Sequence, residues 1–165
     1  MTSKLKVNVI SDGGDNNIIT SNGSGVITSS KFKIGQILQS TTSTNITTTG
    51  GSFVTSNLSV AITPTSTSSK VYLVVNGIGQ ITTNSLCLDI YRSTTSSFVS
   101  GGLGRGMVAM ETANNMFPLP IMFLDAPNTV AEITYTIYFK NSSGGTASLF
   151  RGDVLSTFQA MEVLA

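Results

Sequence analysis

The chain of 165 residues contains no histidine, no tryptophan and a single cysteine. Cys87 therefore has no partner for a disulfide within the chain, and the Cys–His arrangement that activates a nucleophilic thiol is excluded. Cys87 lies in the apolar, strand-like run "NSLCLDIY". We expect it to be a small buried side chain.

Charge is also scarce, since charged residues make up 10% of the chain and the net charge is +1. Serine and threonine take the place of the missing charge. Such a chain lacks the basic surface that binds nucleic acid or an anionic membrane, so we expect neither as a partner. The first residues, "MTSKLKVNVISDGG", hold no long apolar run and predict neither a signal peptide nor a membrane span.

The few carboxylates give little support to an enzyme. A glycosidase needs two facing carboxylates, which a fold could assemble from the eight acidic residues present. A sugar-cleaving site also favours aromatic platforms, and tryptophan is absent. We therefore predict no enzymatic activity, no catalytic residue and no cofactor.

Three short motifs have competing interpretations. Asp12 and Asp15 in "DGGDNN" could hold Ca²⁺, but the spacing departs from an EF-hand and we favour a polar turn without metal. "RGD" at residues 151–153 matches an integrin-binding tripeptide, yet it follows the strand-like "TASLF" and fits the end of a hairpin. "GGLGRG" at residues 101–106 has no strand–loop–helix context for phosphate, so we expect a loop or a close backbone approach.

Alternation of apolar and polar residues predicts strands through most of the chain, as in "ITYTIYFK" and "LCLDIY". "KVYLVV" is continuously apolar and predicts a strand covered on both faces. Turn signals such as "DAPN" and "NSSGG" separate these runs. About eight strands from residue 50 onward predict an all-β fold, an antiparallel jelly-roll-like β-sandwich with an extended N-terminal arm.

The arm is predicted from a change in composition near residue 35. The stretch "SDGGDNNIITSNGSGVITS" is mostly glycine, serine, threonine, asparagine and aspartate. It cannot bury enough apolar surface to offset its ordering entropy, so we expect other chains to order it, for example by strand donation. The expected domains are an anchoring or interlocking arm at residues 1–35 and a β-sandwich knob at residues 36–165.

Three longer phrases carry a family likeness: "SVAITPTSTSSKVYLVV", "FLDAPNT" and "STFQAMEVLA". With them, nearly the whole chain resembles short virion structural proteins of marine tailed phages. The resemblance implies a trimeric β-sandwich knob on the virion, in a fibre, a spike or a capsid decoration. We expect the protein on the virion after assembly in the host cytoplasm.

The predicted function is that of a non-enzymatic phage virion structural protein. We expect a homotrimeric capsid decoration or head-fibre protein, anchored by its arm to capsid or tail structural proteins of the virion. The alternative is a tail-fibre tip that binds a host surface glycan or protein. The chain lacks heptads or repeats for a long shaft, and the loops "RSTTSS", "SGGLGRG", "DAPN" and "NSSGG" lack aromatic residues, which favours the structural role.

Two groups of residues are candidates for the contacts that this role requires. Virion anchoring or subunit exchange is predicted for arm residues Lys4, Leu5, Lys6, Val7, Val9, Ile10, Ile18 and Ile19. A subunit interface is predicted from Met107, Met110, Met116, Phe117 and Tyr138. The methionines and Phe117 also suit core positions, and for any single one of them the core is favoured.

Overall fold

The computed structural model describes residues 9–11, 13–15, 17–21, 27–28, 33–111, 114–150, 152 and 154–165. All pairs between the named strands in these ranges are antiparallel, and the one helical element is a 3₁₀ turn of three residues. The predicted all-β, antiparallel fold is confirmed. In the same ranges, no helix has the length and apolar character needed to cross a membrane.

The strands are short and follow one another with few residues between them. In chain order they are β1 Val9–Ser11, β2 Asn17–Ser21, β3 Ile27–Thr28, β4 Ile34–Thr42, β5 Ile46–Thr48, β6 Val54–Ile62, β7 Lys70–Asn76, β8 Ile78–Ile81, β9 Leu86–Arg92, β10 Ser97–Phe98, β11 Val108–Met110, β12 Met116–Pro118, β13 Ile121–Asp125, β14 Ile133–Asn141, β15 Ala147–Leu149 and β16 Ser156–Val163. The 3₁₀ turn, Ser93–Thr95, lies between β9 and β10.

The sandwich has two layers. One layer, here called the front sheet, has the order β10–β9–β14–β6, with β11 also paired to β9. The other layer consists of a back sheet, β13–β7–β16–β4, and an end sheet, β12–β8–β15–β5. Each strand of the back sheet is consecutive in the chain with one strand of the end sheet, as in β4 and β5, β7 and β8, β12 and β13, and β15 and β16. The strands of the two sheets therefore lie in the same order.

These consecutive strands can be counted as single passes of the chain, which gives eight passes from β4 to β16. The first pass (β4–β5) pairs with the eighth (β15–β16), the second (β6) with the seventh (β14), the third (β7–β8) with the sixth (β12–β13), and the fourth (β9) with the fifth (β10–β11). Such nesting is one long hairpin rolled up on itself, the topology of a jelly roll. The strand order thus confirms the predicted sandwich.

The core lies between the two layers and is filled by the inward half of each alternating strand. In β14 every second residue, from Ile133 to Asn141, is buried. The largest fully buried side chains include Tyr135, Phe139 and Phe158. Cys87 is fully buried and free, as predicted, and burial raises the pKa of its thiol, which disfavours the reactive thiolate.

The described residues of the predicted arm form a small sheet of their own, in the order β1–β2–β3. The strands turn back on one another, with a turn at Gly13 and Gly14 and a left-handed Asp15 at φ 58° before β2. Local antiparallel pairing therefore satisfies backbone groups that one extended strand would leave for other chains. The next strand, β4, begins at Ile34, and the division into arm and knob near residue 35 stays a prediction.

Gly79 offers a test of how tightly the core is filled. It lies in β8 with an ordinary backbone conformation, and an added Cβ would be 2.6 Å from Leu86 Cδ2 and 2.9 Å from Phe117 Cε2. We expect Gly79→Ala to lower the free energy of unfolding by about 1–3 kcal/mol through overpacking, as measured by chemical denaturation. The control is Gly104→Ala, because no atom lies within 4 Å of a Cβ there. Equal stability of the two variants would contradict the described core.

Candidate interaction surfaces

The five predicted interface residues do not form one surface. Met107 and Met110 are half-buried against the core, and only 8% of Phe117 is exposed. Met116 is exposed on the end sheet because alternation places it opposite Phe117. Tyr138 lies on the outer side of the front sheet, in the other layer. The structure thus divides the five residues between the core and two different layers, and their role in a subunit interface stays a prediction.

The eight predicted anchoring residues are described only in part, because Lys4, Leu5, Lys6 and Val7 lie outside the described residues. Val9 and Ile10 are exposed on β1, and Ile10 pairs with the half-buried Ile19 of β2. For Ile18 the structure describes the backbone alone, within β2. The described part of the arm thus presents apolar side chains at the surface, and its anchoring role stays a prediction.

The outer side of the back sheet is apolar, and its strand register arranges the outward side chains in rows. One row crosses the four strands as Leu124, Tyr72, Met161 and Ile37. The next row is Met122, Val74, Gln159 and Gln39. These eight residues, with Ile34 and Val163 at the end of β4 and β16, are here called the back face. Ile37 is 59% exposed and Met122 is 64% exposed.

The two faces of β7 show how unusual the back face is. Its inward residues, Val71, Leu73 and Val75, are at most 1% exposed, while the outward Tyr72 and Val74 are half-buried. An antiparallel sheet with one solvated face normally carries polar residues there, as β14 does with Thr134 and Thr136. The prediction that "KVYLVV" is covered on both faces therefore holds on the inner side, and the described residues leave the outer side uncovered.

An aromatic cluster lies on the outer side of the front sheet. Phe53, Tyr91, Phe98 and Tyr138 are all half-buried, with ring centroids 4.9–5.6 Å apart. Lys140 Nζ lies 4.8 Å from the centroid of Phe53, within the range of a cation–π interaction. Sequence reasoning missed this cluster because β9, β10 and β14 each contribute one ring and Phe53, just before β6, contributes the fourth, and only strand pairing brings these segments together.

A buried polar contact joins the two layers. Arg92 at the end of β9 donates to both carboxylate oxygens of Asp125, at the end of β13, at 2.9 and 2.8 Å. The hydroxyl of the fully buried Tyr135 donates to Asp125 Oδ2 at 2.6 Å. Burial, followed by the contact with Asp125, raises the pKa of Tyr135, so its hydroxyl remains a donor. The ion pair is therefore structural and its partners satisfy one another.

Glu162 is a second buried carboxylate, on the inward side of β16 as the alternation of "STFQAMEVLA" indicates. It accepts hydrogen bonds from the backbone N–H and the hydroxyl of Thr65, at 2.6 and 2.7 Å, and from Gln36 Nε2 at 3.0 Å. Burial acts to raise the pKa of Glu162, but these hydrogen bonds outweigh it and the pKa is lowered. Glu162 thereby ties β4 and the β6–β7 loop to the last strand.

Asp89 is a third buried carboxylate, on β9. It accepts from the backbone N–H of Ile90 at 2.8 Å and from the hydroxyl of Ser100 in the loop that covers β9. Here burial prevails and raises the pKa of the carboxyl. In the same loop, left-handed Gly106 comes against the Leu88 carbonyl, as expected of a close backbone approach in "GGLGRG".

A polar cleft of about 400 Å³ lies at the end of the front sheet, lined by Asn84, Ser85, Arg105, Glu111, Ser142 and Ser143. Glu111 is the carboxylate of this lining, and it accepts from Arg105 and, at 3.2 Å, from Ser85. These contacts lower the pKa of Glu111, with the Arg105 hydrogen bond the largest cause. A two-carboxylate mechanism would need a second acid that this lining does not contain.

The remaining sequence motifs are only partly described. Asp12 lies outside the described residues, as do Arg151 and Asp153 of "RGD". Among the residues that the structure describes, no three acidic, cysteine or histidine side chains come together as a metal site. The turn at Gly13 and Gly14 agrees with the preferred interpretation of "DGGDNN" as a polar turn.

No family model and no curated protein matches the chain. Solved structures of infectious bursal disease virus are similar to it. In the structure of the Gt strain, the likeness covers 86% of this chain and 41% of that chain, at 12% identity and a TM-score of 0.38. In the crystal structure of the VP2 subviral particle, the likeness covers 88% of this chain and 41% of that chain, at 14% identity and a TM-score of 0.37. The chain thus spans about two fifths of those proteins, and its own strand order defines its fold.

Glu162 gives a pH-dependent prediction. Because its folded-state pKa is lowered, the carboxylate stabilises the fold above the unfolded-state pKa of about 4.3, and this contribution is lost as the pH falls through the folded-state value. We expect Glu162→Gln to cost about 1–3 kcal/mol at pH 7, and the difference from the unmodified chain to shrink toward pH 3. Chemical denaturation at several pH values measures this difference in the free energy of unfolding. The control is Glu132→Gln, at an exposed position. A difference that stays constant with pH would contradict the described hydrogen bonds.

Proposed function

We propose that this protein is a non-enzymatic phage virion structural protein, a homotrimer that decorates the capsid or forms a head fibre. The observation that carries the proposal is the back face, an apolar surface on a jelly-roll sheet that the described part of the chain leaves uncovered. A protein built for subunit and shell contacts needs such a surface, since apolar burial drives stable association.

The charged groups support a structural role over a catalytic one. The buried carboxylates of Asp125 and Glu162 are satisfied by partners that hold strands and loops together. The exposed Glu111 is paired with Arg105. Each of these groups thus has a structural task, and the sequence offers no histidine to act as a base.

The arm is proposed to attach the knob to capsid or tail structural proteins, or to exchange strands with neighbouring copies. In favour of this, Val9 and Ile10 are exposed on a strand of a separate small sheet, and their pairing partners are in the arm itself. Apolar side chains on a small exposed sheet are suited to docking by strand addition or by burial against another protein. The virion is the proposed location, with assembly in the host cytoplasm.

The alternative function, a tail-fibre tip that binds a host surface glycan or protein, is favoured by the aromatic cluster. Half-exposed rings with Lys140 beside them are the kind of surface on which a sugar ring or a peptide side chain can stack. The rings are tilted by 37–78° against one another, however, and form no flat platform. Their mutual contacts suit a cover for the sheet, and we rank this function second.

Removal of residues 1–30 tests the role of the arm. The truncation leaves every strand from β4 onward, so we expect the knob to fold and its circular dichroism to keep a β spectrum. We expect the truncated protein to lose its place on particles, measured as copies bound per purified capsid relative to the full chain. Full incorporation of the truncated protein would make the knob itself the anchor and contradict the proposed arm.

Labelled protein offered to host cells and to undecorated capsids tests the ranking of the two functions. We expect saturable binding to capsids and none to cells. The aromatic variant Tyr138→Ala should leave capsid binding unchanged, since Tyr138 contacts Tyr91 and Phe98 on the opposite layer from the back face. Saturable cell binding that competes with phage adsorption and falls in Tyr138→Ala would reverse the order.

A further inference from the structure

We propose that the back face is the surface through which copies of this chain associate, so that another copy covers it in the assembled protein. The inference rests on the homotrimer of the proposed function and identifies its contact. It replaces the scattered set of predicted interface residues, of which Met116 alone is exposed on the same layer as the back face.

The chemistry of the face is the first argument. Its central row, Leu124 to Ile37, crosses four strands without a polar side chain other than the Tyr72 hydroxyl. Among the outward side chains of the described rows from Ile34 to Thr41, the one charged group is Lys70, at the end of β7. Apolar residues and depleted charge are what distinguish the centre of a protein interface from ordinary surface.

The size of the face is the second argument. Four strands at ~4.8 Å spacing are roughly 19 Å wide, and the eight residues from Ile34 to Thr41 span about 26 Å, which gives roughly 500 Å² in projection. The end sheet continues the layer by about four residues and brings it to roughly 750 Å². A specific interface buries about 800 Å² per partner, so the layer is large enough for a stable contact with another copy.

The end sheet also contains a shallow apolar hollow of about 170 Å³, lined by Ile78, Met116, Phe117 and Pro118. Met116 and Pro118 are exposed at its rim, and the exposed Met122 of the back face lies on β13, the next strand of the same layer. A hollow beside protruding side chains allows the side chains of one copy to enter the surface of the next. The polarisable methionines adapt to such a fit.

A copy of the chain fits this face better than partners of other chemistry. A nucleic acid or an anionic membrane would require cations in the rows, where the face offers one lysine. A partner recognised by charge would likewise lack complementary groups. In a trimer each copy presents the back face to a different patch of the next copy, and the apolar end sheet of the same layer matches it in hydropathy. Within the face, Gln159 Nε2 already donates to Gln39 Oε1 at 2.6 Å.

Sedimentation at micromolar concentration tests the proposal with Ile37→Glu, Met122→Glu and the double variant. Both side chains are largely exposed in the chain, so the fold should persist, and denaturation of each variant checks this. Matched controls are Leu103→Glu and Leu155→Glu, each 62% exposed but outside the back face. We expect the unmodified chain and the controls to sediment as trimers. The back-face variants should dissociate, with at least about a tenfold higher dissociation constant, because a carboxylate would be buried unpaired.

Each outcome has a distinct meaning. Trimers that survive in the folded double variant would overturn the back face as the contact and leave the proposed homotrimer intact. A monomeric unmodified chain at all concentrations would overturn both the contact and the homotrimer. Equal dissociation of the back-face and control variants would show a general effect of added charge and would also overturn the proposed contact.

Discussion

A β-strand turns its side chains alternately to two sides, and a sandwich of two layers buries one side of each strand. The surfaces of this molecule depend on which residues each strand carries on its second, outward side. On β14 the second side carries the polar Thr134, Thr136 and Lys140, and its large apolar side chain, Tyr138, packs into the aromatic cluster. On β7 and β13 it carries Tyr72, Met122 and Leu124. Exposure of apolar surface to water costs roughly 25 cal/mol of free energy for each Å². This difference in apolar surface between the layers is the energetic basis of the proposed association.

The polar interior supports the same division of roles. The contact of Arg92 and Tyr135 with Asp125 fixes the front sheet to the back sheet, and the bonds to Glu162 fix a loop and β4 to β16. Both groups lie at strand ends or edges, where backbone pairing alone is weakest. They hold the layer that carries the back face in one shape, and a preorganised surface loses less entropy when it associates.

The sequence was sufficient for the strands, the fold class and the buried Cys87, because period-two alternation and turn residues are local signals. It was also sufficient to mark β7 as apolar on both sides. It was not sufficient to separate the exposed Met116 from the half-buried Met107 and Met110 and the buried Phe117, since their burial depends on strand register. The aromatic cluster was out of reach for the same reason, as its rings are separated by up to 85 positions, from Phe53 to Tyr138.

The two layers also separate the two surfaces in space. The back face and the aromatic cluster of Tyr91, Phe98 and Tyr138 lie on the outer sides of opposite layers. A copy that covers the back face therefore leaves the cluster open to solvent, so that association and recognition do not compete for one surface. Since the rings already contact one another and Lys140 lies over Phe53, the cluster is stable without a ligand. The back face has no such partner among the described residues, and this difference is why we rank the proposed assembly above recognition.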